Sequence, residues 1–519
     1  MGRMTDGGSG MKLSALAQGL EGAALSAGAD PVIRGLAYDS RQAGPGFLFA
    51  ALRGVHTDGH RFLAAARDRG ASALLVEADA SAAGLPWIRV PDARAALSRI
   101  AARFYGEPSR SLYVIGVTGT DGKSTTVSFI HQLLEFLGYD AGFLSTVAHQ
   151  TGATVSDNPF RQSTPEAPEI HGLLAAMLAN GKRFAVVEAT SHGLSAKTRR
   201  LADVFFDAAV LTNVALEHLE FHGSLEQYRD DKANLFRALG RNPGKTHGLP
   251  RAAAVNGDDE HWRLFAGAAA EAGVTASLYA LKNEAADWRA TGLAPDGGGV
   301  AFNLRHGGRS IATRLAVPGD YNVENFLAAL SIICAVTGSD PAEVAALAGR
   351  LTPVRGRLES VERGQPFRLI VDFAHTPQAF DRLLPALKRA SSGRLIVVFG
   401  SAGERDTVKR RLQGEAAARA ADVVILADED PRGEEPLSIL EEIASGCRGK
   451  TRGDDLFLIP DRREAIAKAC GLAKPGDTVA LLGKGHEKGI IYKNLTLPWN
   501  ERAVAEEALA ALGFTEKRG

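Results

Sequence analysis

Residues 112–126 read LYVIGVTGTDGKSTT: an apolar run, a glycine-rich turn, then a lysine opening a helical pattern. An apolar run of this kind needs cover on both faces, which is the condition of a buried parallel strand. Beyond the turn, Val127, Ile130, Leu134 and Leu137 recur at helical spacing, and Gly138 can end the helix. Strand, tight turn and helix in that order commit the chain to a parallel sheet with helices packed on it. The same rhythm returns at FAVVEA (184–189) and DAAVLTN (207–213), which predicts a central P-loop-type doubly wound parallel sheet.

The rest of the chain follows from its length. With 519 residues there is room for about three domains. From Met11 to about Arg110, apolar runs (GFLFAAL, ASALLVEA, WIRV) alternate with alanine-rich helical stretches and close at GEPSR, predicting a small N-terminal α/β domain over 1–109. The central domain is placed at 110–349. Strand candidates FRLIVDF, GRLIVVFG, ADVVILAD and DTVALLG predict a C-terminal Rossmann-like α/β domain over 350–519. The first ten residues read as a polar, glycine-rich leader.

Composition narrows the function. Lysine plus arginine and aspartate plus glutamate each total 60, so no global basic field draws the chain to nucleic acid or to an anionic membrane. No run approaches the roughly 18 apolar residues of a membrane span, and membrane insertion is not expected. Cys334, Cys447 and Cys470 are odd in number and form no CxxC pair, which points to buried free thiols in a reducing, cytoplasmic compartment. An anionic ligand must therefore be held by local structure.

The loop supplies that structure. Backbone N–H groups and the helix dipole at a helix start favour a phosphate. Gly119 and Gly122 permit the turn, Lys123 would reach the terminal phosphates of a nucleotide, and the Ser124 hydroxyl would ligate Mg²⁺, with Thr120, Asp121 and Thr125 completing the segment. The register departs from GxxxxGK[ST], because position 117 is Val and Gly116 comes one residue early. A glycine turn with a surface lysine is the bland alternative. Glu188, at the end of a predicted strand, offers a second hard oxygen ligand, or a cap on a neighbouring helix.

A loop of the form TGTxGK[ST]T resembles the nucleotide loop of the Mur ligase family, the ATP-dependent amide ligases of peptidoglycan stem-peptide synthesis. EATSHGL (188–194), NVALEHLEFHG (213–223), YRDDKANLF, GDYNVENFLAAL (319–330), GRLE (356–359), DFAHTP (372–377) and GKGHE (483–487) follow in the family's order. Within it, YDSR (38–41), STPEAPE and EDPRGEEP (429–436) resemble the member that joins a diamino acid to UDP-N-acetylmuramoyl-L-alanyl-D-glutamate. The resemblance implies carboxylate activation by ATP through an acyl phosphate, then attack by the incoming amine. That chemistry is mostly placement and charge neutralisation. Competing readings are a D-Ala-D-Ala-adding ligase, a folylpolyglutamate synthase, or a non-catalytic nucleotide-binding regulator, which Asp121 in the loop's usual Asn slot would suit.

The resemblance also implies roles. Lys123, His218 and Lys232 would be catalytic, and Ser124, Glu188 and His218 would hold metal; Glu217 stands where the family usually has Asp. Read alone, His218 is more often a structural histidine, and Lys232 an exposed lysine paired with Glu226 or Asp230. In the family the lysine at this position is carbamylated (N6-carboxylysine), which needs an uncharged amine. Asn325 would contact the adenine side, while Arg357 and Asp372, with His375 nearby, would reach the nucleotide from the third domain across a closing interface. Tyr38, Ser40, Gln162, Ser163, Thr164, Thr190 and either Arg199 or Arg200 would take the UDP-sugar peptide. A monomer is expected.

Arg405, Glu429, Asp430, Pro431, Arg432, Gly483 and Glu487 match the family's amino-acid pocket. Diaminopimelate enzymes typically carry Asp-Asn-Pro-Arg where this chain reads Glu-Asp-Pro-Arg. The extra charge of Asp430 should oppose a distal carboxylate and favour L-lysine or L-ornithine. Arg432 pulls toward meso-diaminopimelate, because its fork suits a carboxylate.

Overall fold

The computed structural model describes residues 10–515 apart from 55–56, 161, 216–218, 243–244, 246 and 297. The chain divides into two compact units, one running through Arg289 and taking in Asn325–Ala345, the other mainly Ala346 onward. The expected leader falls on residues 1–9, outside the described residues.

Among its described residues the first unit holds a short antiparallel pair (Met11–Lys12 with Val32–Ile33) and two larger sheets. Strands β1 (Ala24–Leu25), β2 (Gly35–Ala37), β3 (Phe47–Ala50), β4 (Ala73–Val76) and β5 (Trp87–Arg89) run in the order β1-β5-β4-β3-β2, parallel except for β1. Helix α1 (Ala93–Phe104) begins where the Asp92 carboxylate accepts the N–H groups of Arg94 and Ala95. It lays Leu97, Ile100 and Phe104 into one core with Leu48, Leu75 and Ile88.

The second sheet is built on β6 (Tyr113–Thr118), whose six residues are all buried, as a parallel strand covered on both faces requires. Helix α2 (Lys123–Phe136) follows, and Gly138 takes φ +82° just beyond it. Strands β7 (Ala141–Leu144), β8 (Ala148–Gln150), β9 (Val155–Asp157), β10 (Phe184–Glu188), β11 (Ala208–Leu211), β12 (Ala252–Asn256) and β13 (Ala276–Ala280) complete this part of the sheet. Their order is β9-β8-β7-β10-β6-β11-β12-β13, parallel except that β8 runs antiparallel to both β7 and β9. The chain winds away from β6 in both directions, so its carboxyl end is a switch point, where sheets of this type bind ligands.

Around this sheet stand α3 (Ala167–Ala179), α4 (Ser191–Leu194), α5 (Leu219–His222), α6 (Leu225–Ala238) and α7 (Asp320–Thr337). Gly116, inside β6, lets α6 approach: a Cβ there would lie 2.4 Å from Leu235 Cδ1 and 2.9 Å from the Phe206 ring. Leu235 and Phe206 are fully buried and have nowhere to retreat.

The second unit is also α/β. Strands β14 (Glu359–Ser360), β15 (Arg368–Asp372), β16 (Leu395–Phe399), β17 (Val423–Leu426), β18 (Leu456–Leu458) and β19 (Thr478–Leu482) run β14-β15-β19-β16-β17-β18, parallel except for β14. The four strands expected from the sequence lie at its centre. A fully buried ion pair, Arg462 with Glu501, sits at their carboxyl ends, where the guanidinium also donates to the carbonyls of Asp428 and Leu482. Cys447 and Cys470 are buried, Cys334 is half-buried, and all three are free. Among the described residues no helix is long and apolar enough to cross a membrane.

The N-terminal sheet docks on the central one through α1 and α3. Tyr38 donates its hydroxyl to Glu169 Oε1 at 2.8 Å, while Glu166 pairs with Arg200 at 3.0 Å and lies 3.6 Å from Arg94. Burial pushes the Glu169 carboxyl up to about 7, with the Glu166 charge adding to it.

Two outcomes follow from these contacts. Gly116→Val should cost about 1–3 kcal/mol by overpacking, and Leu235→Ala in the same chain should return part of it, as read by denaturant midpoints. Because the folded Glu169 carboxyl titrates above its ordinary value, its stabilising contribution is complete below about pH 4.5 and is lost as pH rises through about 7. Glu169→Gln keeps an acceptor for Tyr38 and removes the buried charge. Its melting temperature should match the parent at pH 5 and exceed it at pH 8, by the equivalent of about 2 kcal/mol; parallel curves across that range would refute this.

Candidate active site

The loop after β6 is gripped on every side by the first unit. Gly119, at φ +149°, could carry no side chain, since a Cβ would lie 1.8 Å from Thr212 Oγ1 and 3.0 Å from the Asn213 carbonyl. Thr120 N–H donates to the Asn213 carbonyl at 2.7 Å, and Asp121 N–H to Asn213 Oδ1 at 3.0 Å. The Asp121 carbonyl accepts from Thr212 Oγ1 at 2.6 Å and Asn213 Nδ2 at 3.1 Å. Gly122 starts α2 at φ +81°, against the Asn325 side chain, which also accepts from Thr126 Oγ1 at 3.2 Å. Asn325 thus sits on the loop itself. Lys123 is folded back, donating to the carbonyls of Gly119 (3.1 Å) and Thr120 (2.7 Å).

Ser124 and Glu188 meet: the Ser124 hydroxyl donates to Glu188 Oε2 at 2.8 Å. Thr146, which the sequence reading passed over, donates its N–H to the same oxygen at 2.9 Å and its hydroxyl to Oε1 at 2.8 Å. This is a set of hard oxygens at the head of a phosphate loop, and it fits Mg²⁺, which accepts few protein ligands and keeps water and phosphate oxygens. Among the described residues no group of three His, Cys, Asp or Glu side chains stands ready for a metal. His218 and Glu217 lie outside the described residues.

Lys232 is not the exposed surface lysine of the bland reading. It is buried on α6, donates to the Gly119 carbonyl at 2.5 Å and lies 4.3 Å over the Tyr228 ring. Tyr228 reaches Thr120 Oγ1 with its hydroxyl at 3.0 Å. Tyr228 and Lys232 stand one helical turn apart, a spacing that could have marked Tyr228 in the sequence.

Beside the Ser124–Glu188 cluster, Thr164 Oγ1 donates to the Glu188 carbonyl at 3.0 Å and accepts the N–H and hydroxyl of Thr190 at 3.1 and 2.9 Å. Gly193 is needed there, because a Cβ would lie 2.5 Å from Thr164 Cγ2. Arg200 is buried in this cluster, bonded to Glu166 and to the Thr164 carbonyl at 3.0 Å, whereas Arg199 is exposed and lies 3.9 Å from Asp92. Ser163 is half-buried and Gln162 exposed. Ser40 stands half-buried in the turn that Asp39 caps, and Tyr38 is taken up by Glu169.

In the second unit, GRLE, DFAH and GKGHE pack together. Gly356 and Gly485, both at positive φ, press on one another and on Phe373. Arg357 lies 4.6 Å over the Phe373 ring, which also faces His375 and His486. Asp372, at the end of β15, accepts the N–H groups of Leu358 and Ala374, both at 2.7 Å.

The acidic pocket is organised by a lysine that the sequence reading left unassigned. Lys484, fully buried, pairs with Asp430 at 3.0 Å and Glu487 at 2.6 Å. Burial opposes its charge, but the two carboxylates outweigh that and hold it as an ammonium. Asp430 Oδ1 also accepts the Ile491 N–H at 3.0 Å. The open valence belongs to Glu429, whose buried Oε2 has no hydrogen-bond partner and lies beside Gly483. Arg432, at φ +55°, carries a buried Nε that is likewise unbonded. The carbonyls of Asp430 and Pro431 fix the neighbouring loop, accepting the Gly403 N–H at 2.9 Å and leaving no room for a Cβ at Gly403. Arg410, fully buried, clamps that loop through Glu434, Glu442 and the Ala402 carbonyl, leaving Arg405 exposed on it.

Three family models match the chain: "Mur ligase family, catalytic domain" over 32–105, "Mur ligase middle domain" over 117–333 and "Mur ligase, glutamate ligase domain" over 356–485. The chain is 47% identical, over 93% of its length and 96% of the relative's, to a UDP-N-acetylmuramyl-tripeptide synthetase of Roseiflexus sp. strain RS-1. It is 37% identical, over 96% and 99%, to a UDP-N-acetylmuramoyl-L-alanyl-D-glutamate--2,6-diaminopimelate ligase of Geobacillus thermodenitrificans. A solved structure of another such diaminopimelate ligase superimposes with a TM-score of 0.66 at 29% identity, covering 98% of this chain and 100% of that one. With the family models matched in order along its length and a relative of 47% identity over nearly all of it, the chain belongs to the Mur ligase family.

Proposed function

We propose that this ligase joins a diamino acid to UDP-N-acetylmuramoyl-L-alanyl-D-glutamate with consumption of ATP and Mg²⁺, the diamino acid being L-lysine or L-ornithine. The names and near-full coverage of the relatives support the substrate class. The observation that carries the amino-acid reading is the buried carboxylate oxygen of Glu429, which has no hydrogen-bond partner.

Bound ATP would supply the phosphoryl group that turns the substrate carboxylate into an acyl phosphate. Lys123 would leave its loop carbonyls for the terminal phosphates, and Ser124 and Glu188 would hold the metal, with His218 as the further ligand implied by the family. Thr146 would keep the Glu188 carboxylate aimed as Ser124 turns away. Lys232 already touches the loop. Its carbamylation, in which the neutral amine forms an N–C bond to CO₂ and releases a proton, would exchange a cation for a carboxylate-like group. Thr164, Thr190 and Arg200 would receive the peptide end of the nucleotide sugar.

The charge argument for the diamino acid shifts from Asp430 to its neighbour. Asp430 is already paired with Lys484 and the Ile491 N–H, so its charge is largely spent within the protein. Glu429, together with the surplus charge of Asp430 and Glu487 over Lys484, leaves a pocket that suits a plain ammonium. Arg432 would take the α-carboxylate of the incoming amino acid.

ATP-dependent phosphate release with the UDP-N-acetylmuramoyl dipeptide, with L-lysine, L-ornithine and meso-diaminopimelate offered separately and product mass confirmed, tests this. Turnover with lysine or ornithine alone is expected. Turnover with diaminopimelate alone would mean that Arg432 governs the distal group, and silence with all three would favour the non-catalytic reading. In the active pairing, Glu429→Gln should raise KM for the diamino acid about tenfold or more, the loss of one charge-assisted contact, while KM for ATP stays within about twofold.

A further inference from the structure

A buried hydrogen-bonded chain with no assigned role runs beside the phosphate loop. Asp231 Oδ2 lies 2.7 Å from His222 Nδ1, and His222 Nε2 lies 3.1 Å from Ser191 Oγ. Gln227 donates to the other Asp231 oxygen at 3.1 Å. The carboxylate accepts, so Nδ1 carries a proton, and Nε2 shares the second hydrogen bond with the Ser191 hydroxyl. The order serine, histidine, aspartate is that of a hydrolase triad, but the three side chains are shut away from solvent, Ser191 at 2% exposure. A nucleophile needs access to its substrate, so the chain's work is mechanical.

Its ends identify that work. Ser191 follows Thr190 directly and stands three residues beyond Glu188, on the segment that carries the metal-side groups. Asp231 directly precedes Lys232 on α6. The same face of α6 holds the phosphate loop twice, through Tyr228 on Thr120 and Lys232 on the Gly119 carbonyl. His222 closes α5 and packs edge-on against Tyr228, with ring centres 5.1 Å apart. One helix face therefore grips the loop directly and the end of β10 through His222.

We infer that Ser191, His222 and Asp231 are positioning residues through which α6 keeps the Glu188–Thr190 segment in register with the phosphate loop. The consequence for catalysis rests on the ligase reading, and the placement of nucleotide and metal does not. Buried polar chains of this kind act as a unit, because breaking one link strands the others without solvent to replace it.

The test uses the full chain with Ser191→Ala, Asp231→Asn and Asp231→Leu. Asparagine at 231 still accepts from Nδ1–H, whereas leucine fills the space and cannot. ADP affinity is measured with and without Mg²⁺, and kcat and KM on the productive substrate set. Ser191→Ala and Asp231→Leu should each cut the Mg²⁺ enhancement of ADP binding by about tenfold or more while leaving Mg²⁺-free binding within about twofold. They should lower kcat with KM for ATP nearly unchanged, Asp231→Asn should recover most of the loss, and Ser191→Ala combined with Asp231→Leu should be no worse than the latter alone. If Asp231→Leu does not fold, Ser191→Ala and its combination with Asp231→Asn decide the matter by the same measures. An unchanged Mg²⁺ enhancement in Ser191→Ala, or effects that multiply, would overturn the inference. ADP binding needs no sugar peptide, so this arm stands apart from any failure of the substrate assignment.

Discussion

The loop that the central sheet presents is fixed at the carbonyl of Gly119. Two ammonium groups, Lys123 and Lys232, donate to it, and the backbone that carries it lies too close to Thr212 and Asn213 for any residue but glycine. A loop held this way presents its N–H groups at the start of α2 without help from a ligand, so little ordering is left for the moment of binding. The Lys123 ammonium is held within the loop by the carbonyls of Gly119 and Thr120. In the Ser124–Glu188–Thr146 cluster a serine hydroxyl and two threonine donors satisfy the buried carboxylate.

The second unit solves a different problem, that of keeping acidic groups crowded in a buried pocket. Lys484 neutralises part of the charge, and the Arg462–Glu501 pair braces the strand ends from behind. Truncating either member of such a pair leaves an uncompensated buried charge, which costs far more than the pair contributes. What remains available to a ligand is the remainder of this internal pairing, an acceptor on Glu429 and a donor on Arg432. Selectivity in such a pocket depends on which charges the protein has already consumed.

The architecture was legible because it is written locally. The apolar run ending at Thr118, the glycines at 119 and 122 and the helical period after Lys123 specify β6, loop and α2 without reference to distant residues. The strands at FAVVEA, DAAVLTN and DTVALLG appeared in the same way. Ser124 and Glu188 were read as oxygen ligands of one metal, Ser124 in the loop that opens α2 and Glu188 at the end of a parallel strand, and their side chains meet. Thr146, His222 and Lys484 were not picked out, because their residue types carry no mark of the carboxylate or hydroxyl each will face, and Tyr228 was marked only by standing one helical turn before Lys232. The charge of Asp430 was legible in the sequence, but its pairing with Lys484 was not.

The sequence alone determined the parallel α/β architecture, the phosphate loop and the order of the family's motifs, since each depends on residues close together along the chain. The tertiary structure decided which of those groups are already paired. Lys232 could have stayed at the surface with Glu226 and instead meets Gly119; Asp430 could have faced the ligand and instead meets Lys484. Hydrogen bonds and ion pairs act over a few ångströms between residues far apart in sequence, so only the folded chain says which charge is left over for the ligand.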